Sequence, residues 1–429
     1  MTKRTSGPDL PGLSPSTTLR GDSQNPAGLL PGWRSVRLGD VCKVVAGSTP
    51  LSGVPEYWNG DIVWITPTDL GQLADKHILT STRKITQAGY ESCGTEIVPP
   101  GSVVLSSRAP IGHLGIAQVP LCTNQGCKCF VPGKEADSLF LYFALKKSVP
   151  ILQGLGSGAT FAEVSKSQLE GFEIPLPPLP EQQRIAAILN EQLAAVERAR
   201  AAAEAQLQAA KALPAAYLRE VFESEEARKW ESVKLGEICD VKGGKRLPAG
   251  TDFSPSKTLY PYIRVLDFHV GGVHTDNLKY LDSETQQQIA RYVINRDDVY
   301  ISIAGSVGIA GVIPEELHGA NLTENAARLV IHDKKILHRD FLARFLQSTA
   351  GQNAIQARTN VVGQPKLALE RIGTIPVSLP SLSEQERIVN YLNIMLPVSE
   401  QAVAKIESQL AAIEQMPAAL LRRAFAGEL

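Results

Sequence analysis

Leu176-Pro177-Pro178-Leu179-Pro180-Glu181-Gln182-Gln183-Arg184-Ile185 opens a long run of Ala, Leu, Glu, Gln and Arg, and it returns 203 positions later as Leu379-Pro380-Ser381-Leu382-Ser383-Glu384-Gln385-Glu386-Arg387-Ile388. The same displacement carries Leu213-Pro214-Ala215-Ala216-Tyr217-Leu218-Arg219 onto Met416-Pro417-Ala418-Ala419-Leu420-Leu421-Arg422. Upstream, Trp33-Arg34-Ser35-Val36-Arg37-Leu38-Gly39-Asp40-Val41-Cys42 returns as Trp230-Glu231-Ser232-Val233-Lys234-Leu235-Gly236-Glu237-Ile238-Cys239, shifted by 197. Between these anchors, residues 43–170 and 240–373 share few identities, and the second half has gained about six residues net. A solenoid repeats every few dozen residues, so a period near ~200 describes a duplicated domain. Two alike halves predict a pseudo-two-fold arrangement, with common closing segments carrying two variable heads.

A chain of 429 residues suggests two to three domains, each able to bury its own core. Its 43% hydrophobic and 20% charged residues are ordinary for a globular protein. The net charge of −1 argues neither for nor against nucleic acid, because a local basic face can be balanced elsewhere. No stretch approaches the ~18 apolar residues of a membrane span, and no apolar signal core is visible. Residues 1–32, rich in Pro, Gly, Ser and Thr, read as a disordered lead-in. These features predict a cytoplasmic chain with six reduced cysteines and no membrane partner.

Several segments imitate chemistry. Cys122, Cys127 and Cys129, with Cys93 and His113 upstream, lack the paired knuckles of a zinc site, so no metal is expected; buried thiols in a β-rich core explain them better. Cys42 and Cys239 occupy equivalent repeat positions, which favours packing. Gly154-Leu155-Gly156-Ser157-Gly158 lacks the spacing of a phosphate loop and reads as a flexible connection. There is no Asn/Asp-Pro-Pro-Tyr/Phe stretch of the kind an adenine-methylating site needs, no nucleophile elbow and no His-Glu-x-x-His. No catalytic residues are expected.

After Pro180 the sequence runs to Lys211 with neither Gly nor Pro, and its residues are strong helix formers. Ala186, Leu189, Leu193, Val196, Ala203, Leu207 and Ala210 recur in alternating three- and four-residue steps, interrupted at Arg200. That is a coiled-coil seam. In the second half the seam is Val389, Leu392, Leu396, Ser399, Val403, Ile406, Leu410 and Ile413, bulkier than the first. Small residues on one helix facing large ones on the other predict an antiparallel pair joining the heads. About thirty residues at ~1.5 Å each span roughly 45 Å, more than the ~34 Å of one DNA turn. Ser383 and Glu386 have capping-box spacing. Pro397 should kink or split the second helix, and Pro214 and Pro417 should end both, each followed by a short amphipathic helix.

The heads read as mixed α/β. Apolar runs at Asp61–Ile65, Ser102–Leu105, Tyr262–Val265 and Asp298–Ile303 predict strands bounded by Gly and Pro turns. Short helices are predicted near Leu139–Lys147 and Phe341–Thr349. Polar loops flank these strands. In the first head they offer Ser48, Thr49, Thr66, Thr68, Asp69 and Arg108; in the second, Lys242, Lys245, Arg246, Arg264, Asp267, Ser302 and Ser306. Such side chains read base edges or hold phosphates. Lys242-Gly243-Gly244-Lys245-Arg246 is the strongest phosphate candidate.

This order of segments resembles the specificity subunit of type I restriction–modification systems. The resemblance covers essentially everything after residue 32. It rests on the doubled segments Pro177–Ile185 and Pro380–Ile388, on Trp33–Cys42 and Trp230–Cys239, on Gly47-Ser48-Thr49-Pro50 followed by Tyr57-Trp58-Asn59-Gly60-Asp61-Ile62, and on Lys242–Pro248 with Tyr262-Ile263-Arg264-Val265. It implies target recognition domains at 33–178 and 230–381 and conserved helical regions at 179–229 and 382–429. It also implies a bipartite double-stranded DNA target, two modification (methyltransferase) subunits that carry S-adenosylmethionine, and restriction subunits using ATP and Mg²⁺. This chain would bind no cofactor itself. Leu189, Leu193, Val196, Leu207, Leu392, Leu396, Val403, Ile406, Leu410 and Ile413 would hold the helix pair. Two other readings stay open: the recognition subunit of a system whose methylation and cleavage share one partner, and a coiled-coil adaptor whose heads bind proteins. An autonomous enzyme is disfavoured by the missing motifs.

Overall fold

Val103–Ser106 and Val299–Ser302 are buried along their whole length, as uninterrupted apolar runs must be when both faces of a strand are covered. Each lies inside a sheet of the same order. In the first head Cys42–Ala46, Cys127–Pro132, Val103–Ser106 and Leu114–Ala117 pair antiparallel, with His77–Ile78 added at the edge. In the second, Cys239–Gly243, Ala326–Ile331, Val299–Ser302 and Ala310–Val312 repeat that order. A second sheet follows in both, of three strands in the first head and four in the second, where Val293–Ile294 adds an edge. Trp58–Ile65 lies between Lys84–Ile85 and, in parallel, Leu121–Thr123. Tyr260–Ile263 lies between Lys279–Leu281 and, again in parallel, Ala320–Leu322.

The computed structural model describes residues 30–108, 110–156, 163–360 and 365–429, so most of the 1–32 lead-in falls outside it. It divides into two compact units. One holds the residues through Arg200 together with Ala412–Leu429; the other is Ala201–Ala411. The boundary cuts both long helices, Leu179–Phe222 and Leu382–Ala424. Each helix therefore begins in one unit and ends in the other.

What the ends do is written in the aromatic residues. In the first unit Trp33 meets Phe140 and Phe425 edge-on, each with centroids 6.3 Å away, and Phe140 lies 5.2 Å from Phe425. In the second, Trp230 meets Phe341 at 6.3 Å, and Phe222 lies 5.5 Å from Phe341 and 5.7 Å from Phe345. Phe425 and Phe222 are the equivalent residues at the far ends of the two long helices. Each core is thus completed by the helix that the other half starts.

The sequence expectation that Pro214 and Pro417 end these helices is corrected. Both lie inside continuous helix, and Pro397 does not split the second. An internal proline costs about 3 kcal/mol through its missing donor and its clash with the preceding turn. Continuing the helix past it buries Leu218 and Phe222 in one core, and Leu421, Ala424 and Phe425 in the other. Those burials, each worth about 1.5–3 kcal/mol for a large apolar side chain, outweigh the loss. Pro150 likewise lies inside a helix. The first head's helix runs Ser138–Leu155, well past Lys147, and takes Gly154 and Leu155 from the expected flexible connection; Ser157 and Gly158 lie outside the described residues. In the second head the helix stops at Gln347, where Ser348 caps a further helix, Thr349–Gln356. Ser381 rather than Ser383 precedes the second long helix, its carbonyl accepting from the amides of Glu384 and Gln385.

The seam residues are the least exposed of their turns. Leu189, Leu392 and Leu396 are buried, while Leu193, Val196, Leu207, Val403, Ile406, Leu410 and Ile413 are half-buried. A stripe covered by a single neighbouring helix cannot close completely. Within the second unit the helices run antiparallel: Tyr391 donates to Glu220 at 3.0 Å, and Lys211 pairs with Glu407 at 2.9 Å. Among the described residues no helix is long and apolar enough to cross a membrane.

The repeated Glu-Gln-x-Arg-Ile segment is structural. Gln182 is fully buried; its Nε2 donates to the carbonyls of Glu135 and Pro177, both at 2.8 Å, and its Oε1 accepts from the Asp137 amide at 2.8 Å. Gln385 does the same with Ile336, Pro380 and His338. Asp137 and His338 are the N-caps of the helices that carry Phe140 and Phe341. Ile185 and Ile388 enter the cores, and Arg184 and Arg387 grip Glu181 and Glu384 on the surface. Replacing Gln182 or Gln385 by Ala strands buried backbone groups, each costing about 1–3 kcal/mol. Urea unfolding of either variant should therefore show a loss of about 2–4 kcal/mol. Exposed pairs contribute little, so Glu181→Ala should leave the transition almost unmoved.

Candidate nucleic-acid interface

A turn that the sequence reading passed over, Thr123–Gly126, gathers the polar loops of the first head. The Ser48 amide donates to the Thr123 carbonyl at 2.9 Å, the Asn124 amide to Ile65 at 2.9 Å, and the Ser107 amide to Gly126 at 2.9 Å. The Val164 amide then donates to Ser107 at 2.9 Å. Lys128, 5% exposed, reaches the Ser107 hydroxyl and the Gln125 carbonyl, both at 3.1 Å, and Glu163 at 3.4 Å. The expected loops at 47–50, 66–69 and 106–108 therefore lie around one centre.

The second head repeats the four main-chain bonds, although Ala327 stands where the first head has Lys128. Lys245 donates from its amide to Leu322 at 2.8 Å, Thr323 to Ile263 at 3.0 Å, Ile303 to Asn325 at 2.8 Å and Leu367 to Ile303 at 2.9 Å. Gly47 and Gly244 enforce the close approach. A Cβ at Gly47 would lie 2.1 Å from the Asn124 carbonyl oxygen, and one at Gly244 2.1 Å from that of Thr323.

Several candidate residues are occupied in building this platform. Thr66 caps the short helix Pro67–Gly71 in a reciprocal box with Asp69, whose other oxygen accepts from the Thr82 amide at 2.9 Å. Burial pushes the Asp69 carboxyl up, but the hydrogen bonds from Thr66 and Thr82 outweigh it and hold the group below its usual range. Arg264 and Asp267 are the counterpart. Asp267, 4% exposed, takes Nε of Arg264 at 3.0 Å and Nη2 at 2.6 Å, and that Nη2 also reaches the Asn277 carbonyl at 3.0 Å. Ser302 is buried, donating to the Ser306 carbonyl and accepting from the Ile309 amide at 2.8 Å. Ser106, in the expected loop at 106–108, is its equivalent in the first head.

Other candidates face solvent at the loop rim. Thr68, Lys245, Arg246 and Ser306 are exposed; Ser48, Thr49 and Arg108 are half-buried. Lys242 stands on the strand Cys239–Gly243 and pairs with Asp240 at 2.9 Å, apart from the central turn. Thr49 donates to Gln125, and at the equivalent place Arg246 donates from Nε to Glu324 at 2.8 Å. Gln125 and Glu324 carry no local sequence signal beyond a polar turn between two strands. Only alignment of Thr123–Gly126 with Leu322–Asn325 would have found them.

The clustered thiols belong to the sheets. Cys122, Cys127 and Cys129 are buried, and burial pushes Cys129 up to about 12 and Cys122 to about 11. Cys42 and Cys239 are each pushed up to about 12 by burial. Among the described residues no group of His, Cys, Asp and Glu could hold a metal.

Comparison with known proteins bears on this arrangement. Residues 31–204 and 227–408 match the model of the type I restriction modification DNA specificity domain. The MjaIX specificity subunit of Methanocaldococcus jannaschii is 34% identical over 248 residues, which span 54% of this chain and only 57% of that protein. The EcoBI specificity subunit of Escherichia coli is 25% identical over 332 residues, covering 72% of this chain and 70% of the relative. The crystal structure of the HsdS subunit from Thermoanaerobacter tengcongensis shares the fold, with a TM-score of 0.66 at 23% identity over 95% of this chain and 100% of that one. A chain from a type I R-M system shares it too, with a TM-score of 0.69 at 22% identity, covering 94% of this chain and 100% of that one. With one family model matching both halves, the chain belongs to the type I restriction–modification DNA specificity family and carries two of its domains.

Proposed function

We propose that this chain is the non-catalytic sequence-recognition subunit of a type I restriction–modification complex, each head reading one half of a bipartite duplex. The observation that carries this is the repeated convergence of polar loops on one turn in both heads, joined to the family match of both halves. A duplicated reader needs duplicated platforms with different side chains, and Thr49–Gln125 against Arg246–Glu324 supplies that difference.

The paired helices are assigned the spacing of the half-sites and the docking of two modification subunits. S-adenosylmethionine resides on those partners, and ATP and Mg²⁺ on any restriction subunits; this chain supplies address rather than chemistry. The complex works in the cytoplasm. In a gel shift at controlled salt, the full complex should retain target-bearing genomic fragments over others, because non-specific binding weakens steeply with salt. Equal retention of every fragment would favour the protein-binding adaptor.

Exchanging residues 43–170 for those of a relative should rewrite one half-site, read by single-molecule methylation mapping, and leave the other intact. Inserting four residues after Ala203 adds about 6 Å of helix and should lengthen the gap without changing either half-site. Simultaneous change of both halves in the first experiment, or an unaltered gap in the second, would contradict the modular assignment.

A further inference from the structure

We propose that Arg246 reads a guanine in the half-site of the second head, with Glu324 as its positioning residue; this rests on the DNA-recognition reading above. Arg246 is 79% exposed in its side chain, yet it is not loose. Its Nε donates to Glu324 Oε1 at 2.8 Å, and Oε2 of the same carboxylate accepts from the Thr323 hydroxyl at 3.0 Å. The preceding residue is fixed on both sides: the Lys245 amide donates to Leu322 at 2.8 Å, and its carbonyl accepts from the Tyr262 hydroxyl at 2.8 Å. Both ends of the side chain are therefore anchored.

With Nε engaged, what remains is the pair of Nη groups. No other hydrogen bond of this guanidinium is found among the described residues. A planar two-donor fork matches O6 and N7 of guanine in the major groove. Arg264, by contrast, has Nε committed to Asp267 and Nη2 shared between Asp267 and Asn277, so one arm of its fork is already held.

Two observations favour a base over a phosphate. A phosphate contact gains from net positive charge through counterion release, and Glu324 cancels the charge of Arg246. The equivalent tie in the first head is made by Thr49 and Gln125 without any charge. Holding the two loops together thus does not require an exposed guanidinium. Prior anchoring lowers the ordering cost of the contact, which suits specificity.

The test uses the full-length chain, recovered from its own cells with the subunits that co-purify, against a randomised duplex library sequenced after selection. The wild type should enrich a bipartite motif with a guanine in one half. Arg246→Lys keeps the charge and loses the fork. It should reduce discrimination at that guanine about tenfold to a hundredfold, with the other half-site and the affinity for scrambled duplex retained. Glu324→Gln should weaken the same preference while raising affinity for scrambled duplex; a general loop defect would lower both. A guanine preference that survives Arg246→Lys overturns the proposal. So does an Arg246→Ala variant that loses affinity uniformly across sequences with a salt slope shallower by about one, the signature of a phosphate contact. A wild-type chain that enriches no motif overturns the recognition reading as well, whereas an intact motif indifferent to Arg246 overturns this assignment alone.

Discussion

The exchange of helix ends is the constraint on which the other features depend. Trp33 and Phe140 come from the first half, but Phe425, the third ring of their cluster, is the residue just past the long helix of the second. Trp230 and Phe341 are likewise completed by Phe222. A buried Phe is worth about 3–5 kcal/mol against Ala, a large fraction of a domain's net stability. The chain therefore cannot be cut at its duplication boundary into two halves that each keep a complete core. Duplication produced the repeat, but the stable units are built from both copies.

That arrangement explains which residues the two halves share. The identities cluster in the Glu-Gln-x-Arg-Ile segments, in the strands Arg34–Arg37 and Glu231–Lys234, and in the proline-bearing helix ends. Gln182 and Gln385 each satisfy three backbone groups with no exposure to water. Loss of one partner in such a site leaves the others unsatisfied, so substitution is costly. These repeated motifs hold the helices onto the heads and mark architecture rather than contact with a ligand. Signals of recognition lie where the halves differ.

Much of this architecture was legible in the sequence because it repeats or is periodic. The duplicated segments located the heads, and the alternating three- and four-residue spacing located the seam at Leu189, Leu392 and Leu396. The prolines misled because a local rule was applied to residues whose tertiary gain exceeds the local loss. Leu218 and Phe222 lie beyond Pro214, and Leu421 and Phe425 beyond Pro417. At the candidate interface the polar loops were visible from composition, but their meeting point was not. Thr123–Gly126 and Leu322–Asn325 have no periodicity and little identity; their role resides in main-chain carbonyls. Nor could sequence separate the arginines. Arg264 is spent on Asp267 and Arg246 is presented to solvent, because one lies three residues from its carboxylate on a short helical turn and the other meets its partner across two loops.

The platform also shows how such a head tolerates change. Its loops are tied by amide-to-carbonyl bonds, which substitutions other than proline leave in place, and by glycines at 47 and 244 where a Cβ would strike the turn. Asp69 and Asp267 cap equivalent short helices although one pairs with a threonine and the other with an arginine. The rim side chains are therefore free to vary at little expense in stability, because the geometry that positions them is fixed by the main chain. Thr49–Gln125 and Arg246–Glu324 are two solutions on one frame. A duplicated reader built this way can change what one head recognises while the other head, the helix ends and the buried glutamines remain as they were.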